Sequence, residues 1–238
     1  ITYGDWSSDV CSSDLTGTTT VNSGTLKLAG GTNTLFFNNP LTVNNGGALD
    51  LNGTAQFVGA LASGSAAAAS GIQGGTIVNT SGTQATLIST SGTFSGQIGG
   101  GTVASPANAN IFVNKAGTSI LLGANTYTGA TLINGGTTTL EDAGTLSNTS
   151  SITINYATLT LDNVNGLTNV NDRLNPTAGV TMNGGTIKLY GRGGTYSSQT
   201  QTSGGLTLAS GASVVSATND SNHGPSTNDG ATLTFSSL

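Results

Sequence analysis

The ionisable side chains that could do chemistry form two weak groups in the second half of the chain. Glu141 and Asp142 are the only adjacent acidic pair, and Asp162, Asp172 and Arg173 form a second group. Paired carboxylates with a basic side chain on one face would suit a β-helical polysaccharide lyase or hydrolase. The simpler interpretation is favoured, in which Glu141 and Asp142 mark a solvated corner and the second group is not catalytic.

The remaining reactive residue types are isolated. His223 is the only histidine, and as a base it would need a nucleophile and an orienting carboxylate beside it. Asp220 and Asp229 lie near it in sequence, but there is no G-x-S-x-G motif, and a loop rich in turn formers favours a solvated histidine. Cys11 is the only cysteine, and the glycine pairs lack the aspartates of calcium-binding β-rolls. We therefore predict no catalytic, cofactor-binding or metal-binding residues.

The composition is typical of neither a compact globular domain nor a disordered chain. Charged residues make up 6% of the 238 residues, against about 25% in soluble domains, while 35% are hydrophobic and 37 are glycine. Gly, Thr, Ser and Asn disfavour helix. Five basic residues cannot form a nucleic-acid patch, and no apolar run is long enough for a membrane helix. The composition favours strands around a thin aliphatic core.

A short phrase recurs along the chain: an aliphatic residue, Asn, a turn with Gly or Ala, and then alternating apolar residues. Neighbouring copies start about 21 to 28 residues apart, except for one gap of about 90 residues that would hold about four units. The five copies are Val21–Leu28, Val43–Leu51, Ile133–Leu140, Ile154–Leu161 and Met182–Leu189. A single strand cannot bury its apolar face, but stacked strands can. The repeat predicts an all-β fold, a right-handed parallel β-helix (β-solenoid) over residues 16–238.

The alternation within each copy predicts which side chains point inward. Lys27, Asp50, Thr160 and Lys188 should face outward, because a shift of one residue would bury their polar or charged groups. The Asn residues can form hydrogen-bonded ladders along the stack. The predicted inward residues are Leu26, Leu28, Leu49, Leu51, Ile133, Leu140, Leu159, Leu161, Ile187 and Leu189.

Residues 1–15 differ in composition from the rest of the chain. They contain the only Cys and the only Trp, and residues 7–15, SSDVCSSDL, resemble a translated sequencing adapter. We interpret residues 1–15 as an assembly artefact and expect them to be irregular.

The most regular stretch, residues 115–137, resembles the autotransporter-associated β-strand repeat. The specific block Gly123-Ala124-Asn125-Thr126-Tyr127-Thr128-Gly129 is intact, while Ser119 and Thr138 depart from the usual Gly and Leu. The resemblance covers most of residues 16–190. It implies a passenger region of a bacterial type V secreted protein, exported through an outer-membrane barrel and displayed as a surface stalk or adhesin.

These observations predict a non-catalytic structural or adhesive passenger fragment that lacks its export signal and its barrel anchor. We expect it to be secreted or at the bacterial cell surface, with an unidentified surface or carbohydrate ligand, no nucleic-acid partner and no membrane-spanning segment of its own. End-to-end self-association is a further expectation, since an uncapped solenoid exposes unpaired edges. The alternatives are a β-helix polysaccharide lyase or hydrolase and, third, a threonine-array ice-binding solenoid, for which the Thr-x-Thr pairs are too sparse.

Overall fold

The computed structural model describes residues 17–64, 73–99, 110–192, 199–220 and 230–238. Within these ranges the chain forms strands and turns and no helix. The strands are β1 Thr19–Val21, β2 Gly24–Lys27, β3 Leu41–Val43, β4 Gly47–Asp50, β5 Ala55–Phe57, β6 Leu61–Ala62, β7 Thr76–Val78, β8 Ala85–Ser89, β9 Gly92–Phe94, β10 Gln97–Ile98, β11 Asn110–Lys115, β12 Thr118–Leu121, β13 Ala124–Asn125, β14 Thr131–Asn134, β15 Thr137–Leu140, β16 Thr145–Leu146, β17 Ser151–Asp162, β18 Gly179–Gly191, β19 Gln199–Ser203, β20 Leu206–Asn219 and β21 Ala231–Phe235.

The strands pair in parallel with strands of the next pass of the chain. Most passes, called rungs below, contribute strands to three faces, and the long strands β17, β18 and β20 each run through two of them. The first face runs β5-β8-β11-β14 and continues into the start of β17, and the second runs β9-β12-β15 and continues into the end of β17. The third includes β2-β4-β7-β10, then β13 and β16. The prediction of an all-β fold of stacked parallel strands is confirmed, and the arrangement is consistent with a β-solenoid.

The core lies inside the stack, as the alternation predicted. Of the ten predicted inward residues, nine are buried and Leu26 is partly buried, while Lys27 is exposed. The prediction for Asp50 was wrong, because this residue is only 1% exposed. Its carboxylate accepts hydrogen bonds from the Thr80 hydroxyl at 2.5 Å and from the Asn52 amide at 2.9 Å, which compensate for burial of the charge.

The Asn residues of the repeated phrase form ladders, but at two different corners. Asn155 donates to the Asn134 side chain at 2.6 Å, and Asn183 donates to Asn155 at 2.7 Å, where the first face turns into the second. Asn44 donates to Asn22 at 2.7 Å, where β1 and β3 turn into β2 and β4. The strand β6 follows β3 in its sheet, and Ala60, just before β6, bridges to Ser91, just before β9. This earlier corner therefore joins the second and third faces. The five copies therefore do not form one continuous stack.

The strand β20 forms the last rung of the first two faces and pairs only with β18 among the described residues. Leu208, Val214 and Val215 on β20 are 54%, 53% and 44% exposed. Residues 217–219 belong to β20. His223, Asp229 and the predicted artefact at residues 1–15 lie outside the described residues. No helix that could cross a membrane occurs in the ranges given above.

Candidate functional site

Arg173 lies at the centre of the charged side chains that the structure brings together among the described residues. It lies in the excursion between β17 and β18, residues 163–178, and it is the largest fully buried side chain among the described residues. An arginine with no contact to water must satisfy every N–H group within the protein. Its partners therefore decide whether it can bind a substrate.

All five guanidinium N–H groups have acceptors within the chain. Nη1 donates to the carbonyl oxygens of Asp142 at 3.0 Å and Gly144 at 2.6 Å, and Nη2 donates to the carbonyl oxygen of Asp162 at 2.9 Å. Nε and Nη2 both donate to Asn163 Oδ1, at 3.1 and 2.6 Å. Because β15 and β17 are neighbours in the sheet, Arg173 connects the corners that follow two successive rungs. No N–H group remains for a ligand.

The two buried carboxylates of this site also bind their own turns. Asp142 is 3% exposed and its Oδ1 accepts the amide of Leu167 at 2.5 Å. Asp162 is 4% exposed, and its two oxygens accept the Val164 amide at 2.8 Å and the Asn165 side chain at 2.7 Å. The prediction that residues 141 and 142 form a solvated corner was therefore wrong for Asp142. These hydrogen bonds hold the excursion after β17 against the preceding rung.

Glu141 is the member of the group that is only partly buried. Burial raises the pKa of its carboxyl group, the charges of Asp162 and Asp142 raise it further, and Arg173 opposes them. Burial also lowers the pKa of Arg173 to about 10, against the opposing effect of the three acidic neighbours. Glu141, Asp142 and Asp162 thus all lie close enough to Arg173 to influence its pKa.

Asp172, predicted as a member of the same group, is held elsewhere. Its backbone is left-handed with φ of 50°, and its Oδ1 accepts the Thr202 amide of the next rung at 3.0 Å. It therefore supports a turn. Asn163, which receives two of the five Arg173 hydrogen bonds, was missed by sequence reasoning, and its place directly after Asp162 was the signal available.

The residues that carry the family resemblance also serve packing. Asn125 donates to the carbonyls of Gly123 at 2.9 Å and Thr145 at 3.2 Å and accepts the Ile98 amide at 3.0 Å. Tyr127 is 1% exposed and its hydroxyl lies 2.6 Å from Thr131 Oγ1. The specific block of the motif, residues 123–129, therefore connects three rungs through hydrogen bonds.

Other arrangements in the described ranges offer little chemistry. A shallow groove is lined by residues 24, 25, 45–48 and 74–76, and none of these is ionisable. No group of three potential ligands is placed to hold a metal ion in the part of the chain that the structure describes. The convergent charges around Arg173 consequently act as a cross-link between rungs.

Comparison with known proteins does not identify a family for this chain. No family model, curated protein or solved structure matches the chain.

Proposed function

We propose that the chain is a right-handed parallel β-helix that acts as a non-catalytic structural or adhesive scaffold, of the kind found in autotransporter passenger regions. On this proposal it is secreted or displayed at the bacterial cell surface through a type V secretion route. The resemblance of residues 115–137 to the passenger-associated strand repeat motivates the route and the location.

The observation that carries the scaffold proposal is the use of all five Arg173 N–H groups by the chain itself. A catalytic site needs titratable groups that can reach a substrate. In this chain the residues that looked most like such a site hold successive rungs together. The Asn ladders serve the same purpose at the corners, as expected of a rod whose function depends on its length and rigidity.

A β-helix carbohydrate enzyme is the second candidate, and the convergence of Glu141 with Asp142, Asp162 and Arg173 is the observation that favours it. Glu141 would be the general acid, because its pKa is raised and its side chain is partly exposed. The purified chain would be assayed on neutral and acidic polysaccharides beside Glu141→Gln. Turnover by the parent chain that Glu141→Gln abolishes would establish the enzyme and refute the scaffold.

The display proposal is tested on the cells that produce the protein. Antibodies raised against the purified chain should label intact cells, and protease added outside should remove that label. Labelling only after the cells are broken open would refute display. A crystal structure would give the handedness directly, and a left-handed coil would refute that part of the proposal.

A further inference from the structure

Tyr156 is unusual in both its backbone and its exposure. It is 76% exposed, and its φ of 49° lies in the left-handed region that is costly for an aromatic residue. The same turn position in the neighbouring rungs is glycine, Gly135 with φ of 78° and Gly184 with φ of 75°. Glycine or asparagine would suit this position better. A strained, solvent-exposed aromatic residue that the core does not use points to a role outside the fold.

The tyrosine ring packs against the glycine of one neighbouring rung. A Cβ built on Gly184 would lie 3.1 Å from Cδ1 and 3.2 Å from Cε1 of Tyr156, so the ring lies over the glycine of that rung. A Cβ built on Gly135 would have the atoms of Ala116 as its nearest neighbours. The glycine carries no side chain that could cover the ring, and Tyr156 stays 76% exposed, so the ring is an accessible platform over the rung of Gly184.

Polar groups line the base of this platform. The ladder of Asn134, Asn155 and Asn183 runs past Tyr156, and Ser210 donates to Asn183 at 3.2 Å. Each amide nitrogen of Asn155 and Asn183 donates one hydrogen to the ladder, and its second hydrogen has no acceptor among the described residues. Side-chain amides and hydroxyls therefore stand in a regular row beside an exposed ring.

The corner carries no charge. The four turns contain only Asn, Gly, Ala, Ser and Thr besides the one tyrosine; they are residues 134–137, 155–158, 183–186 and 210–213. Lys115, which pairs with Asn134 at the preceding rung, has its Nζ 5.1 Å from the ring centroid of Phe57. A charged ligand would find no side chain of opposite charge in these turns. A neutral ligand could bind without removing water from a charged side chain.

We propose that the Tyr156 corner, formed by Tyr156, Gly135, Gly184 and the ladder of Asn134, Asn155 and Asn183, binds neutral saccharides. The apolar face of a sugar ring stacks on the tyrosine, and its hydroxyl groups bond with the amides and with Ser210. Tyrosine with Asn, Ser and Gly is a combination that supplies rigid contact area and adaptable hydrogen bonds. The inference deepens the adhesive part of the proposed function and rests on it only for the biological source of the ligand.

The test is a binding titration of the full chain with neutral oligosaccharides. Maltohexaose, cellohexaose and chitohexaose are titrated by saturation-transfer NMR, with a sulfated oligosaccharide as the charged comparison. We expect at least one neutral probe to bind, and Tyr156→Asn to weaken it about tenfold, or about 1.4 kcal/mol. Tyr156→Phe should retain most of the affinity because it keeps the ring. Tyr190→Asn, at a second partly exposed tyrosine, is the matched control and should bind as the parent does.

Asparagine tolerates the left-handed turn, so Tyr156→Asn should unfold at the same or a higher temperature than the parent. Loss of binding together with retained stability supports the site. The inference is overturned if no neutral probe binds, if only the sulfated probe binds, or if Tyr156→Asn binds as tightly as the parent. Failure of surface labelling on intact cells would instead refute display, and would leave a measured saccharide site intact.

Discussion

Replacing Arg173 with methionine tests the cross-link most directly. The substitution keeps a long side chain in the core but removes five N–H donors. Three backbone carbonyls, those of Asp142, Gly144 and Asp162, would then lose their donor. The side-chain oxygen of Asn163 would lose two hydrogen bonds but would still accept the Val170 amide at 3.1 Å. Hydrophobic replacement of a buried charge can be neutral when its partners are replaced as well, but here the acceptors remain in place.

The expected loss follows from the number of acceptors left without donors. At about 1 kcal/mol for each of the three carbonyls, the lower end of the usual range, the free energy of unfolding falls by about 3 kcal/mol. The variant no longer buries a guanidinium, which offsets part of this loss of stability. Removing the positive charge beside Asp142, Asp162 and Glu141 adds to the loss. A net loss of about 2 to 4 kcal/mol is therefore expected. Arg173→Lys keeps the charge with fewer donors and should fall between the two proteins.

Urea unfolding at pH 7, followed by circular dichroism, measures the loss. The matched control is Lys188→Met, which removes a partly exposed ammonium 4.2 Å from the centroid of the Tyr190 ring and should cost about 1 kcal/mol or less. Because rungs interact mainly with their neighbours, hydrogen exchange should accelerate first near residues 142–144 and 162–163. If Arg173→Met is as stable as Lys188→Met, the argument that Arg173 holds the rungs together is refuted.

Three further predictions concern charge and the exposed edge. Burial raises the pKa of Asp50, but hydrogen bonds from Thr80 and Asn52 and the charge of Lys27 outweigh it and hold the pKa below its ordinary 3.8. The stability that the Asp50 carboxylate contributes is present above that value and is lost as the pH falls through the folded-state pKa. Asp50→Asn should therefore lower the free energy of unfolding in urea by about 1–3 kcal/mol at pH 7, and by less in acid. An equal loss at pH 7 and pH 2 would contradict this. The pKa of Glu141 is raised, mainly by burial, so its protonated side chain favours folding in acid and this contribution is lost as the pH rises through the folded-state pKa. Glu141→Gln should therefore be more stable than the parent in urea unfolding at pH 7, with the difference shrinking toward pH 4. A variant that is less stable than the parent at pH 7 would be the contrary result. The exposed edge of β20 should associate between copies at high concentration, and Val215→Lys should reduce the apparent mass in sedimentation velocity; an unchanged mass distribution would exclude this edge.

Much of the fold is encoded locally and could be predicted. Alternation of apolar and polar residues places successive side chains on opposite sides of a strand, whatever the strand pairs with. That is why Leu49, Ile133 and Leu159 were assigned correctly to the core, and why the Asn ladders were expected. The buried state of Asp50 broke the pattern, because its partner Thr80 comes from the next rung and is invisible in the strand itself.

The tertiary structure decided where the repeats and the charges meet. Excursions of different length between strands change the corner at which each copy of the phrase falls, so Asn44 and Asn134 lie at different corners although their local sequences are alike. The meeting of Asp142, Asp162 and Arg173 likewise depends on the register of two rungs and on the path of the loop between them. Local periodicity specifies the inside and outside of each strand, whereas convergence of distant side chains is a property of the whole stack.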